Sequence, residues 1–282
     1  MKSNFEFLNH HFPVLANFGE LAEKYLYSDS NSCLMKLGMI GETIVNLCFT
    51  YDRIPLPQDN TAAVRINSLF REGMITRDLK EVLHALRISR NKATHENYAS
   101  IEDGKALLQM AYSLCEWFMQ TYGDWNYQNC PFVMPSETPE PVNVNRQREQ
   151  AQETQWIEEA EKAAAAAPAM EKEVRKKRSA KAASQRVKSE AETRYLIDEQ
   201  LRKVGWEADT EQLRYSKGTR PAKGRNIAIA EWPTDSKVGN RGYVDYALFV
   251  GMQLVATVEA KAIHKDIPSV IDYQCKDYSK NI

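Results

Sequence analysis

Gly242-Tyr243-Val244-Asp245-Tyr246-Ala247-Leu248-Phe249-Val250, followed by Leu254-Val255-Ala256-Thr257-Val258-Glu259-Ala260-Lys261, is the stretch on which the reading of this chain turns. Both runs are apolar at alternate and adjacent positions, which predicts two strands buried on both faces. An aspartate opens the first, and Glu-x-Lys closes the second. Glu259 and Lys261 are two residues apart and so share a face of a strand. Three charged groups in an otherwise apolar sheet cost several kcal/mol or more unless they pair or bind a metal. A hard cation such as Mg²⁺ takes carboxylate oxygens and keeps waters in its shell. Asp245 and Glu259 supply such oxygens, and Lys261 is placed to orient or activate a metal-bound water for attack on phosphorus.

The turn between the strands decides whether that chemistry is possible. A two-residue turn at Gly251-Met252 pairs Val250 with Gln253 and sets Glu259 opposite Val244, on the wrong face from Asp245. A three-residue turn sets Asp245 opposite Glu259, about 4.5–5.5 Å between Cβ atoms. An even turn needs a one-residue bulge to reach the same result. The expectation is therefore an odd turn or a bulge.

Working outward, 191–204 reads as an amphipathic helix with Ile197, Leu201 and Val204 on one face and Gly205 as its C-terminal cap. Residues 206–234 read as polar and loop-rich. Within them Lys217, Arg220, Lys223 and Arg225, with Arg241 further on, flank the proposed cleft in sequence and are candidates to close over DNA phosphates. After Pro268, 269–279 reads as helical. Further upstream, 1–135 carries apolar residues at helical spacing (Leu79, Val82, Leu83, Leu86; Leu107, Leu108, Ala111, Leu114, Phe118) and predicts a helical bundle. Three prolines in 135–145 mark a linker. From Arg146 the chain is rich in Glu, Gln, Lys and Ala, and Pro168 interrupts the helix this favours. Residues 171–190 hold eight basic and three acidic side chains. That run is either a solvated helix face or a helix lying along nucleic-acid phosphates. The domains expected are 1–135, a connector over 136–185, and 186–282.

Composition sets the outer bounds. The 282 residues allow two domains, and 37 basic against 38 acidic side chains leave a net charge of −1 that gives no global sign of nucleic acid. The opening residues lack the apolar core of a signal peptide, and the longest apolar stretches, around 248–258, are too short for a membrane span. Five scattered cysteines read as reduced thiols of a cytoplasmic protein without a zinc site.

Asp245…Glu259-Ala260-Lys261 resembles the PD-(D/E)xK nuclease signature, with Val244 where the name has proline. Gln274-Cys275-Lys276-Asp277-Tyr278 is similar to the Gln-x-x-x-Tyr motif that some branches carry on the next helix, and Glu192 matches the acidic residue many members place on the preceding one. The resemblance implies an α/β restriction-endonuclease-like domain in which Asp245 and Glu259 hold Mg²⁺, Lys261 assists the water, and Gln274, Tyr278 and Glu192 complete the site.

The opening Lys2-Ser3-Asn4-Phe5-Glu6-Phe7-Leu8 and Glu192-Thr193-Arg194-Tyr195-Leu196-Ile197-Asp198 are similar to stretches of HsdR, the R subunit of type I restriction–modification enzymes. That resemblance implies double-stranded DNA as substrate, methylation and specificity subunits as partners, and an ATP-driven motor in a full-length subunit. Nothing in this sequence matches a Gly-x4-Gly-Lys-[Ser/Thr] phosphate loop, so ATP is not expected to bind this chain. The end at Ile282, just past the Gln-x-x-x-Tyr segment, gives it the look of a fragment.

A second constellation, Arg90-Asn91-x3-His95, resembles the Arg-x4–6-His motif of HEPN-type helical domains. It implies either a ribonuclease acting through Arg90 and His95 or, more plainly, caps and hydrogen bonds joining two helices. A non-catalytic DNA- or subunit-docking module is the remaining alternative.

Overall fold

A computed structural model describes residues 2–137, 146–186, 188–234 and 242–260, with side chains for all but 146–148. These fall into two compact units, the second beginning at Lys188. The first is helical and the second is a small mixed sheet with one helix.

In the helical unit a 3-10 turn (Asn4–Leu8) leads to α1 (Pro13–Tyr25), α2 (Ser30–Tyr51), α3 (Ala62–Arg71), α4 (Arg77–His95), α5 (Ile101–Tyr122), α6 (Arg146–Ala166) and α7 (Lys172–Ser184). The starts follow from local chemistry. Pro13 opens α1, where its missing N–H costs nothing. Asp29 caps α2 by accepting from the Ser32 amide at 3.1 Å, and Ser100 caps α5 by accepting from that of Asp103 at 3.1 Å. By length and composition α2 is apolar enough to cross a membrane, a helix that the sequence reading, directed at 248–258, passes over. Here most of it is buried as the central helix, packed against α1, α4, α5 and α6. Two of its glycines set the approach to α4. A Cβ on Gly38 would lie 2.3 Å from Arg90 Cβ, and one on Gly41 would lie 3.3 Å from Leu86 Cβ.

The charged connector does not stand apart. Trp156 of α6 meets Phe18 edge-on at 6.2 Å, and Lys36 of α2 binds Glu149 at 2.7 Å and also Glu153. Arg53 donates to the carbonyls of Ala164, Ala165 and Ala167, which satisfies the C-terminus of α6 before Pro168. On α7, Arg175 pairs with Asp52 at 2.9 Å, both side chains 4% exposed, and lies over the Tyr122 ring at 4.1 Å. Ser179 takes a hydrogen bond from Trp117 Nε1 at 3.3 Å and donates to the Met74 carbonyl at 2.6 Å. Arg186, just beyond α7, pairs with Asp78 at 2.9 Å. The basic run is thus split: Arg175 and Arg186 are buried in ion pairs, Lys172, Lys177 and Lys181 are exposed, and Arg178 and Lys181 lie over Trp125. Periodicity could not show this, because the inward face of α7 is made of Arg175, Ser179, Ala182 and Ala183 rather than large apolar residues.

In the second unit α8 (Glu190–Lys203) is capped by Ser189, which accepts from the Glu192 amide at 2.9 Å, and Gly205 follows at φ +92°. Four strands follow in the order β1 (Glu207–Ala208), β2 (Asn226–Thr234), β3 (Gly242–Val250) and β4 (Gln253–Val258). β1 is parallel to β2, and the other two pairings are antiparallel. β2 corrects the loop-rich reading of 206–234. Its alternation, Ile227 and Ile229 against Ala228 and Ala230, is masked in sequence by small alanines and by Pro233. The alanine face, with Tyr246 and Leu248, packs under Ile197 and Leu201 of α8. The isoleucine face packs with Ala247, Phe249, Leu213 and Tyr215. β3 is buried on both faces as expected, whereas Val255 and Ala256 of β4 are exposed, because among the described residues β4 pairs with β3 alone. The segments 235–241 and 261–282 lie outside the described residues, so Arg241, Lys261, Gln274, Tyr278 and the helix expected at 269–279 are not placed.

The β3–β4 turn has two residues, Gly251-Met252, with Val250 paired to Gln253. The register then shifts by one, since Phe249 pairs with Leu254 but Leu248 with Ala256, leaving Val255 as the extra residue. Tyr246 consequently pairs with Val258, the last pair of the ladder, and Glu259 follows directly after it.

Candidate active site

Asp245 sits where two strands change phase together. Up to Ala230 and Tyr246 the residues alternate regularly between the two faces, but Trp232 and Val244 both pack with the isoleucine face, one residue out of step. The break is at Glu231, a non-glycine residue at φ +51°. Regular alternation would turn Asp245 away from α8. Instead its Oδ1 lies 3.7 Å from the Arg194 guanidinium of α8, and its Oδ2 accepts from the Ala260 amide at 2.7 Å. The aspartate carboxylate therefore lies along the backbone of the Glu-x-Lys segment. Glu259 follows the last residue of β4, and its Oε1 is buried.

Arg194 gathers the surrounding charge. It reaches Glu190 at 2.9 Å, Glu231 at 3.5 Å and Asp245 at 3.7 Å. Burial alone would lower its pKa, but Glu190, Asp245 and Glu231 outweigh burial and raise it, so the guanidinium stays charged. Arg214 holds the other oxygen of Glu231 at 3.3 Å. Beneath them Asp198 accepts from the amide and hydroxyl of Thr210 at 2.8 and 3.0 Å. The Thr210 hydroxyl in turn shares a 2.5 Å hydrogen bond with Tyr246, the neighbour of Asp245. Burial pushes the Asp198 carboxyl up, against the opposing pull of the Thr210 hydrogen bonds.

Sequence reasoning misses Arg194, Arg214 and Glu231. The one available signal is an arginine two residues beyond Glu192, inside the 192–198 stretch that is similar to HsdR. Glu192 itself is buried on α8, and the link from that helix to Asp245 is made by Arg194. No group of three His, Cys, Asp or Glu side chains able to hold a metal occurs among the described residues.

The basic loop lies elsewhere on the sheet. Asn226 pairs with Val250, and Gly251 N–H donates to the Arg225 carbonyl, so Arg225 and Lys223 lie at the turn end of β3. Asp245 is five residues further along that strand, a rise of about 17 Å. Arg225 is paired with Glu207, Arg220 stacks at 3.7 Å on the Tyr215 ring, and Lys217 and Lys223 are exposed. In the helical unit Arg90 and His95 line one cavity of about 270 Å³, Arg90 being ion-paired with Glu42 and His95 exposed at the end of α4.

Comparison with known proteins separates the two units. Residues 207–282 match the family described as "Type I restriction enzyme EcoKI endonuclease subunit second domain", and 20–153 match a "Domain of unknown function (DUF4145)". The type I restriction enzyme EcoKI endonuclease subunit of Escherichia coli (strain K12) is 31% identical over an alignment of 332 positions that takes in 99% of this chain and 28% of that protein. The chain is similar to part of a type I restriction endonuclease subunit. No solved structure matches it significantly. The chain spans little more than a quarter of that relative's length, and the hairpin carrying Asp245 falls in the region matched by the second-domain family.

Proposed function

We propose that the second unit is the DNA-cleaving module of a type I restriction enzyme, a PD-(D/E)xK nuclease hydrolysing phosphodiester bonds with Mg²⁺. The observation that carries this reading is the Val255 bulge, whose register, continued one step beyond Tyr246–Val258, would set Asp245 opposite Glu259 despite a two-residue turn. Like charges directly opposed destabilise a sheet unless something lies between them. Two carboxylates suit a hard cation that keeps several waters and takes further oxygens from a substrate phosphate. Bound there, Mg²⁺ supplies Lewis-acid polarisation of the phosphate and a more acidic water.

The chain's own residues do the rest. Arg194 and the Ala260 amide fix the rotamer of Asp245. By the family resemblance Lys261 assists the water, and Gln274 and Tyr278 position the site or the DNA. Lys217, Arg220, Lys223, Arg225 and Arg241 contact DNA backbone. At about 17 Å from Asp245, Lys223 and Arg225 engage phosphates about five base pairs from the scissile bond. In the cytoplasm the full-length subunit joins methylation and specificity subunits and adds ATP-dependent translocation.

The test uses the complete restriction complex on supercoiled plasmid with ATP and Mg²⁺. Asp245→Ala, Glu259→Ala and Lys261→Ala should each abolish cleavage while ATP hydrolysis persists. Unaltered cleavage in any of them removes that residue from the mechanism, and unaltered cleavage in all three removes the proposal.

A further inference from the structure

Arg194 faces three carboxylates, and its hydrogen bonding to them is uneven. Its Nε and Nη2 reach Glu190 at 3.0 and 2.9 Å, and Nη2 also lies 3.7 Å from Asp245. The other terminal nitrogen, Nη1, is buried and completes no hydrogen bond among the described residues, although Glu231 Oε1 is only 3.5 Å away. Buried N–H donors without an acceptor are rare and costly, and this one has an acceptor within a small movement. Glu231 is tied at its second oxygen to Arg214, at 3.3 Å, and Arg214 to Glu211, also at 3.3 Å. Charges thus alternate in sign along Asp245, Arg194, Glu231, Arg214 and Glu211, with Glu190 branching from Arg194. Glu231 keeps its place at φ +51°, a conformation that is costly for a non-glycine residue and persists only where its surroundings enforce it. The Arg194 and Asp245 side chains are 17% and 23% exposed, so water and salt screen their attraction only in part.

We infer that Glu231 is a positioning residue that sets the affinity of Asp245 for its divalent cation, by taking over Arg194 when that cation binds. The inference rests on the nuclease reading above. For Arg194, a cation on Asp245 is a like charge competing for one carboxylate. Arg194 can yield without leaving the cluster. Glu190 keeps Nε and Nη2, while Nη1 closes on Glu231 and gains the hydrogen bond it lacks. Asp245 retains its orientation through the Ala260 amide at 2.7 Å. With Glu231 made neutral, the guanidinium stays on Asp245 and opposes the metal. Arg214 moderates the exchange, because it claims part of the Glu231 charge that Arg194 would otherwise receive whole.

The experiment is a titration of the 282-residue chain with Mn²⁺ at fixed ionic strength, free ion being read by its electron paramagnetic resonance signal. The natural chain should bind, Asp245→Ala should not, and Glu231→Gln should bind about tenfold or more weakly. In an Arg194→Gln background the same Glu231→Gln change should cost less than about twofold, because the guanidinium it controls is gone. An equal loss in both backgrounds would show Glu231 acting only as a distant charge and overturns the inference, as does undiminished binding by Glu231→Gln. Either result leaves the nuclease reading standing, since binding still depends on Asp245. No Mn²⁺ binding by the natural chain, or binding that survives Asp245→Ala, overturns the nuclease reading and this inference with it. Should Glu231→Gln fail to fold, Arg214→Gln replaces it. That change frees Glu231 for Arg194 and should tighten Mn²⁺ binding severalfold, and unchanged affinity overturns the inference.

Discussion

The two units bury charge in opposite ways. In the helical unit Arg175–Asp52 is deeply buried and Arg186–Asp78 has its guanidinium buried, and they join α7 and the segment just beyond it to earlier parts of the bundle. In the sheet unit Arg194 is shared among three carboxylates, two of them at a point where the backbone is distorted and the groups remain partly open to solvent. Matched buried pairs hold a structure together, because losing one member strands the other in a low dielectric. A shared, half-open cluster is weakly committed to any one partner, so its carboxylates can accept a further cation.

The sharpest way to break this contrast is to move the register. Deleting Thr257 would slide Ala260 opposite Asp245 and should reduce cleavage by the complete enzyme about a thousandfold, roughly 4 kcal/mol of transition-state stabilisation. Deleting Val255 removes only the bulged residue, keeps Asp245 opposite Glu259, and should leave most of the activity. Equal losses in the two deletions would show that pairing is not what matters. Next, Arg175→Met should lower the stability of the helical unit by about 3–5 kcal/mol through the stranded Asp52, measured by urea unfolding. A change under about 1 kcal/mol would move Arg175 into the class of surface pairs.

Arg194→Met tests the shared cluster in turn. It should slow cleavage by about ten- to a hundredfold, the scale set by losing a hydrogen bond to a charged group, while thermal unfolding moves far less than for Arg175→Met. A smaller effect is expected at the kink. Glu231→Gly should be about 1 kcal/mol more stable than Glu231→Ala, because both remove the carboxylate but only glycine adopts φ +51° without strain.

The smallest effect is a pH dependence. The folded-state pKa of Asp198 is raised, so the native state binds a proton there more readily than the unfolded chain does. Its contribution is most favourable below the unfolded carboxyl pKa and is lost as pH rises through the folded value. The stability of the natural protein relative to Asp198→Asn should therefore improve as pH falls from neutral toward 4, as followed by thermal melts. An unchanged difference would mean that Thr210 offsets the burial completely.

Much of the sheet hairpin is legible in sequence because both its strands alternate and its charged residues stand out against valine, leucine and phenylalanine. Even the need for an odd turn or a bulge follows from counting residues between Asp245 and Glu259. The rest is hidden for specific reasons. β2 uses alanine where it meets α8, so its inner face carries little hydrophobic signal. α7 and the segment just beyond it bury arginines whose counter-ions, Asp52 and Asp78, are 123 and 108 residues away. Arg194 looks like any surface arginine of a charged helix until Glu231 bends β2 and re-aims its neighbour on β3. Pairings across such separations have no local pattern to betray them.

The return of α7 onto the early bundle has a consequence for synthesis. Asp52 and Asp78 are made long before Arg175 and Arg186, so helices α1–α5 emerge from the ribosome with two carboxylates whose partners do not yet exist. At about 5–20 residues per second, the roughly 50 residues after position 137 take about 3–10 s to translate. During that interval the incomplete bundle exposes the groove that α6 and α7 will fill, and a ribosome-associated chaperone would find its client in that window rather than in the finished chain.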